Sequence, residues 1–340
     1  MVARRVLTRL SGRMGPLARR LGMAALAALA AAAVLGLGGG FSRLLDILNH
    51  LTPLYLLASL ALVTIAALSR PIEWRWLAVG AAGALAALSL IAPEMAARIG
   101  EPRPVPGQGL SVTVMTQNVW AHDVSPARTA EAILKADPDV VALQEGVGPG
   151  RDVVALLARA YPYRADCTPI SEWCSMAILS KRPILSGSHH EGAWKPPEWD
   201  RLGLVRATID GGAGGPFEVV TTQLLHPDPG GQAAAQADEL LAQMDSVDPR
   251  RALLVGDFNL TPWSFALRRI DARLPLRRRS HGVATWPHRA PMLGGAWFPA
   301  PFLPIDQIYA GSGWTVVSVQ RGPGAGSDHF GLIARLVYQP

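Results

Sequence analysis

Residues 252–264 read ALLVGDFNLTPWS. Ala252–Val255 is a short, wholly apolar run, as suits a strand covered on both faces of a sheet. Gly256-Asp257-Phe258-Asn259 then places a carboxylate and an amide where that strand ends. The ends of buried strands are where α/β proteins assemble ligand sites. The same pattern recurs outward along the chain. Ser111–Gln117 alternates and is rich in β-branched residues, and Asn118 follows it. Val140–Leu143 is apolar, and Gln144-Glu145 follows. Asp306 sits beside the strand Ile305–Tyr309, and Ser327-Asp328-His329 precedes the strand Gly331–Val337. An Asp or Asn after a strand commonly serves a turn or caps a helix. Each position alone is therefore weak, and the weight lies in the set.

Between these points the patterns alternate. Further strands are expected at Ser175–Leu179, Leu204–Ile209, Phe217–Thr222 and Thr315–Val319. Helical spacing covers Pro126–Lys135, stopped by Asp137-Pro138, then Asp152–Ala160, Gln232–Met244 and Ser264–Arg269. Residues 110–340 thus read as one α/β domain with many strands, and no internal repeat is present.

The N-terminal part is of another kind. The chain has 340 residues, 49% hydrophobic and only 17% charged, too apolar for an ordinary soluble domain and too ordered in pattern for a disordered one. The uncharged residues concentrate in three runs, 21–42, 47–69 and 76–97, the last carrying Glu94 near its end. At 1.5 Å rise per residue each is about long enough to cross a hydrocarbon core of roughly 30 Å. Three transmembrane helices are therefore expected over residues 21–98, with a Pro/Gly linker over 99–109. Buried core helices are the alternative, and runs of this length disfavour it. Residues 1–20 carry six arginines and no acid, which places the N-terminus in the cytoplasm. Three crossings then put the C-terminal domain outside, at the periplasmic face of an inner membrane.

The formal charge of +6 is matched by those six arginines, so the rest of the chain is close to neutral. Charge therefore gives no argument for nucleic acid as a partner. Arg268–Arg279 is locally basic, a solvated face or a surface for phosphates or anionic headgroups. The two cysteines, Cys167 and Cys174, are spaced for a small disulfide loop in an oxidising compartment. A zinc pair lacks the usual spacing, and two free core thiols are the remaining alternative.

Glu145, Asp257, Asp306 and Asp328, the amides of Asn118 and Asn259, and the imidazole of His329 suit metal-assisted phosphoester hydrolysis. Hard oxygens hold Mg²⁺ or Mn²⁺, amides hold phosphate oxygens, and a carboxylate–imidazole pair stabilises charge at phosphorus. In order, N-V-W, D-P-D-V-V-A-L-Q-E, A-I-L-S-K-R-P, G-D-F-N, I-D-Q-I and S-D-H resemble the endonuclease/exonuclease/phosphatase superfamily. That superfamily spans deoxyribonucleases, abasic-site endonucleases, inositol-polyphosphate phosphatases and neutral sphingomyelinases. G-D-F-N-L-T-P-W-S also resembles a bacterial subgroup with N-terminal membrane spans.

The resemblance implies a four-layer sandwich, two mixed β-sheets flanked by helices. It implies Glu145 as the principal metal ligand with Asn118 beside it. Asp257 would orient or deprotonate the attacking water, and Asn259 would hold a phosphate oxygen. Asp306 would pair with His329, and Asp328 would complete the metal shell or the histidine's hydrogen bonds. One position departs. Gln223 stands in T-T-Q-L-L-H-P where the family reads T-H-L, its histidine sometimes a tyrosine. A glutamine can donate to phosphate but cannot act as an acid. Gln223 and His226 are candidate substrate contacts, with His226 also readable as an exposed loop residue.

The sequence carries no phosphate-binding G-x-x-x-x-G-K-[ST], no G-x-S-x-G and no H-E-x-x-H. The expectation is a membrane-anchored phosphoesterase, more a phosphodiesterase than a monoesterase, acting on nucleic acid, a phospholipid headgroup or a small phosphoester. The alternative is a non-catalytic anchored binder of a phosphorylated ligand, motivated by Gln223. A transporter is disfavoured because no charge lies deep within a span.

Overall fold

The computed structural model describes residues 15–99, 109–167, 175–192, 202–290, 296–298 and 300–339. By backbone proximity the chain divides into two units, residues 1–93 with Trp263–Phe265, and residues 94–262 with 266–340.

In the first unit, α1 (Pro16–Gly36) begins earlier than the apolar run, because Pro16 fits the first turn of a helix, where a missing N–H costs nothing. The second expected span is not one helix. Residues 47–69 are split between α2 (Arg43–Asn49) and α3 (Thr52–Leu68), bent by 68° at the break. Pro53, in the first turn of α3, cannot extend the helical ladder backwards. Asn49 turns its amide to the Gly36 carbonyl and to Asp46, at 3.0 and 2.8 Å, and the Thr52 hydroxyl donates to the Asn49 carbonyl at 2.6 Å. α4 (Trp74–Ile99) is continuous and contains Pro93. Among the described residues, two helices are therefore long and apolar enough to cross a membrane, Pro16–Gly40 with its terminal turn and Trp74–Ile99. A third crossing exists only if the bent pair counts as one.

In the second unit the apolar strands behave as their composition demands. The first sheet has the order β13-β14-β1-β2-β4-β3. Its strands are β1 (Leu110–Asn118), β2 (Val140–Gln144), β3 (Tyr163–Asp166), β4 (Ala177–Ser180), β13 (Trp314–Arg321) and β14 (Leu332–Tyr338). The second has the order β5-β6-β7-β8-β12-β9. Its strands are β5 (Ile184–Glu191), β6 (Gly203–Ile209), β7 (Phe217–Gln223), β8 (Leu253–Asp257), β9 (Arg277–Arg278) and β12 (Asp306–Ala310). A short hairpin, β10 (Arg289–Ala290) with β11 (Ala296–Trp297), stands apart. Both large sheets are mixed, because β1–β2 and β7–β8 run parallel and the other pairs antiparallel.

The two sheets pack face to face. Val112, Val114, Val140 and Ala142 of the first sheet share one cluster with Val219, Leu253, Val255 and Ile308 of the second. Alternate residues point outward. Val141 and Leu143 meet α5 (Pro126–Ala136) and α6 (Gly150–Leu157) through Ile133 and Leu157. Leu254 meets α7 (Gln232–Met244) and α8 (Phe265–Arg273) through Leu240 and Ile270. Helices thus flank both sheets. Each fully buried Leu, Ile or Val contributes about 1.5–3 kcal/mol, and strands covered on both sides need the unbroken apolar runs seen in the sequence.

Asp137 adopts the left-handed conformation and ends α5 immediately before Pro138. Cys167 is disulfide-bonded, while Cys174 lies outside the described residues, as do residues 1–14 of the basic tail and 100–108 of the linker. The basic run is divided: Arg278 and Arg279 are buried, while Arg269, Arg273 and Arg277 are exposed, Arg273 pairing with Asp238 at 2.7 Å.

Candidate active site

Register brings the polar strand ends together. Asn118, the last residue of β1, lies opposite Gln144, the last of β2. Gln223 closes β7 opposite Asp257, which closes β8, and antiparallel β12 opens with Asp306 opposite the same Asp257. Gly256 is required between Val255 and Asp257. Its φ is +152°, and a Cβ there would overlap the Thr222 carbonyl on the neighbouring strand. The two sheets are tied at this end by a buried chain of hydrogen bonds: Gln144 donates to Thr221 at 2.8 Å and accepts from Thr116 at 3.2 Å.

Asn118 is the hub. Its Nδ2 donates to Glu145 Oε1 at 2.8 Å and to Asp257 Oδ2 at 3.0 Å, while its Oδ1 accepts the Trp120 N–H at 2.8 Å. The Trp120 bond leaves the amide only one orientation, with its donors toward the carboxylates. Glu145, Trp120 and Asn259 all have positive φ, 57°, 60° and 51°, a conformation that costs non-glycine residues free energy and clusters at functional sites. Glu145 Oε2 accepts the Ala121 N–H at 3.1 Å and Oε1 accepts Gln223 Nε2 at 2.7 Å. Burial alone would raise the Glu145 pKa; the bonds from Asn118, Ala121 and Gln223 outweigh it and hold the group below the ordinary carboxylate range.

On the other side of Asn118, Asp257 is 1% exposed. Its Oδ1 accepts the Asn259 N–H at 2.9 Å. Burial, opposed by His329 and reinforced by Asp306, pushes its pKa up to about 7. Asn259 donates through Nδ2 to the Leu224 carbonyl at 2.8 Å, which uses one of its two N–H groups. His329 Nδ1 is 2.9 Å from Asp306 Oδ2, and its Nε2 is 3.8 Å from Asp257 Oδ2. Burial alone would lower its pKa, but Asp306 and Asp257 raise it to about 10. The imidazole is therefore an imidazolium at neutral pH, set between two carboxylates.

Asp328 is buried, with Oδ2 accepting Trp286 Nε1 at 3.2 Å. Burial raises its pKa, and Glu145 nearby adds to the rise. Its Oδ1, like Oδ1 of Asp306, is buried without a hydrogen-bond partner. Orphaned carboxylate oxygens facing a further carboxylate suit a divalent cation held by hard oxygens. Asp257, Asp306 and His329 also lie close enough to hold an ion, through a ring nitrogen that would first have to give up its proton. Carboxylate oxygens of Glu145 and Asp328 fit a metal better, whereas Asn118, expected as a ligand, turns its N–H groups to the carboxylates and its oxygen to the Trp120 N–H.

A family model described as the endonuclease/exonuclease/phosphatase family matches residues 115–329. The chain belongs to that family. Its endonuclease/exonuclease/phosphatase fold is shared by solved structures of low sequence identity. A protein of that description from Beutenbergia cavernae is 22% identical, covering 67% of this chain and 72% of its own, at a TM-score of 0.52. Sphingomyelinase C from Streptomyces griseocarneus is 19% identical over 66% of this chain and 99% of its own, at 0.51. TDP2 from D. rerio, with a single-strand DNA product, is 17% identical over 66% and 98%, at 0.53. A comparison with curated proteins gave no match. Enzymes of the family hydrolyse phosphoesters and generally use divalent metal ions.

One candidate falls outside the cluster: His226 is exposed, and none of the site's hydrogen bonds among the described residues reaches it. Sequence reading also missed residues that hold the site. Trp286 steadies Asp328, Ser327 donates to the Asn118 carbonyl at 2.7 Å, and Gln117 donates to the same carbonyl at 2.6 Å. Gln117 had a signal, since it is a polar residue inside an otherwise buried strand. Trp286 had none, because it comes from a segment without periodicity.

Proposed function

We propose that this endonuclease/exonuclease/phosphatase domain is a Mg²⁺-dependent phosphodiesterase carried by a membrane anchor. The observation that carries the reading is the position of Asn118, bonded at once to Glu145 and Asp257, with Asp306 and His329 on the far side of Asp257. Glu145 and Asp328 would hold Mg²⁺, or Mn²⁺ in its place, with Asn118 orienting Glu145 through its amide N–H. The ion, when bound, supplies charge neutralisation at the phosphoryl oxygens. Asp257, with a pKa near neutrality, is placed to take a proton from the attacking water. His329, charged and braced by Asp306, is placed to donate Nε2–H to a phosphoryl oxygen, and Asn259 has its second N–H for another.

A diester is favoured over a monoester because the described site holds one imidazolium and no clustered arginines for a dianion. Sphingomyelinase C and TDP2 share the fold, so a lipid headgroup and a nucleic acid are both within its range. The near-neutral charge of the domain favours the lipid. The alternative of a binder without turnover rests on Gln223 alone. That side chain has a role inside the site, through Glu145, which favours activity.

The domain is proposed to lie outside the cytoplasm of a bacterial cell. Support comes from the disulfide at Cys167 and from the six arginines of residues 1–20. This placement takes the bent pair α2–α3 as a crossing. The test of function is hydrolysis of a chromogenic phosphodiester and the matching monoester by the detergent-solubilised full chain, with and without Mg²⁺.

A further inference from the structure

We infer that Gln223 is a positioning residue for Glu145, setting the affinity of the site for its divalent cation, and not a contact to substrate. The inference rests on the phosphoesterase reading above and assigns a role to the position where this chain departs from its family.

The backbone around Gln223 is pinned. Thr221 accepts from Gln144, the residue before Glu145. Leu224 N–H donates to the Asp257 carbonyl at 2.9 Å, and the Leu224 carbonyl accepts from Asn259. β7 is thereby fixed to β2 on one side of Gln223 and to the loop after β8 on the other. From that fixed backbone the half-buried side chain delivers Nε2 to Glu145 Oε1 at 2.7 Å, beside the 2.8 Å bond from Asn118. Ala121 N–H takes the other oxygen. Three donors from two chain segments, residues 118–121 and Gln223, thus hold one carboxylate.

The arrangement matters because these are the hydrogen bonds that the Glu145 carboxylate makes among the described residues. It follows the last residue of β2, beyond the ladder, with a strained positive φ. A carboxylate on such a backbone keeps its direction only through side-chain bonds. Partners that orient a metal ligand typically change metal affinity or activity 10–100-fold when lost. A substrate contact through the N–H bonded to Glu145 would instead need the Gln223 amide to leave Glu145 and point at phosphate. The short bond argues against that.

The test titrates Mg²⁺ alone into the detergent-solubilised full chain by calorimetry, beside diester kinetics. Gln223→Met keeps the length of the side chain and removes the donor. It should bind Mg²⁺ about tenfold more weakly while keeping the unaltered KM once the cation is saturating. Gln223→His, which also presents an N–H, should restore the affinity. Should Gln223→Met fail to fold, Gln223→Asn, whose amide is one carbon too short to reach Glu145, makes the same comparison. Unchanged Mg²⁺ affinity with a raised KM would overturn the inference and make Gln223 a substrate contact. If the unaltered chain itself binds no divalent cation, the phosphoesterase reading fails and the inference with it. If the unaltered chain binds the cation and the variant matches it, only the inference fails.

Discussion

Glu94 and Arg278 form a two-pronged ion pair, Oε1 to Nη1 at 2.9 Å and Oε2 to Nη2 at 2.8 Å, with the side chains only 3% and 5% exposed. Glu94 also accepts the Gly282 N–H at 2.8 Å and faces His281 Nδ1 at 3.0 Å. Arg278 adds a bond to Asp271, which accepts the Tyr309 hydroxyl at 2.8 Å. Arg278 is paired with Tyr309 across β9 and β12, the strand that opens with Asp306. The last turns of α4 are therefore part of the domain that carries the site.

This has a direct consequence for truncation. Removing one partner of a buried pair typically costs about 3–5 kcal/mol, because the other charge stays buried alone. A fragment starting at Gly107 lacks Glu94 and should melt well below one starting at Leu90, measured by calorimetry under the same conditions. Equal melting temperatures would show that the pair contributes nothing to the domain.

The pH dependence follows from two shifted groups. Asp257, raised by burial to about 7, should govern an acid limb, with activity rising as it loses its proton. His329, which burial would lower but Asp306 and Asp257 raise to about 10, should govern the alkaline limb. For stability both act in one direction. A raised carboxylate pKa means the folded state binds the proton more tightly, so its contribution is lost as pH rises from the unfolded value near 4 to about 7. The His329 contribution is complete below its unfolded value near 6.5 and is lost as pH rises through about 10. Melting temperature in chelator should therefore fall steadily on the alkaline side. A flat profile there would contradict the charged state assigned to His329.

The placement outside the cytoplasm predicts the behaviour of Cys167. Replacing it with serine should lower stability by about 2–3 kcal/mol, the usual size for a short disulfide loop, and only in protein matured in an oxidising compartment. A reporter active only in the periplasm, fused after Pro340, should be active. Activity from a cytoplasmic reporter alone would show that α2–α3 does not cross.

Legibility in the sequence varied with the physics of each element. β2 and β8 were plain because strands buried on both faces must be apolar throughout. α5 ended where Asp137-Pro138 required it. β5 was not anticipated, since Ser186–His190 on a sheet edge is polar and Leu185–Ser188 is exposed. β3 was missed for the same reason, two of its four residues being exposed. The break in the second apolar run was hidden because hydropathy is blind to backbone direction; Pro53 and the Asn49 amide were the signals. In the site, residue types at strand ends pointed to Asn118, Glu145, Asp257, Asn259, Asp306 and His329, and the register brings these into one hydrogen-bonded set. The partners that orient them, such as Trp286 and Ser327, depend on loops whose paths no periodicity encodes.

The central claim is metal-dependent diester hydrolysis at Asp257. The most direct test compares the unaltered full chain with Asp257→Asn on a chromogenic phosphodiester, in Mg²⁺ and in chelator. The account predicts turnover that needs the metal, exceeds that on the monoester, and falls by about 10²–10⁴-fold in the variant while its melting temperature holds. A folded, Mg²⁺-binding chain that turns over neither ester, or a variant as active as the unaltered chain, would contradict it.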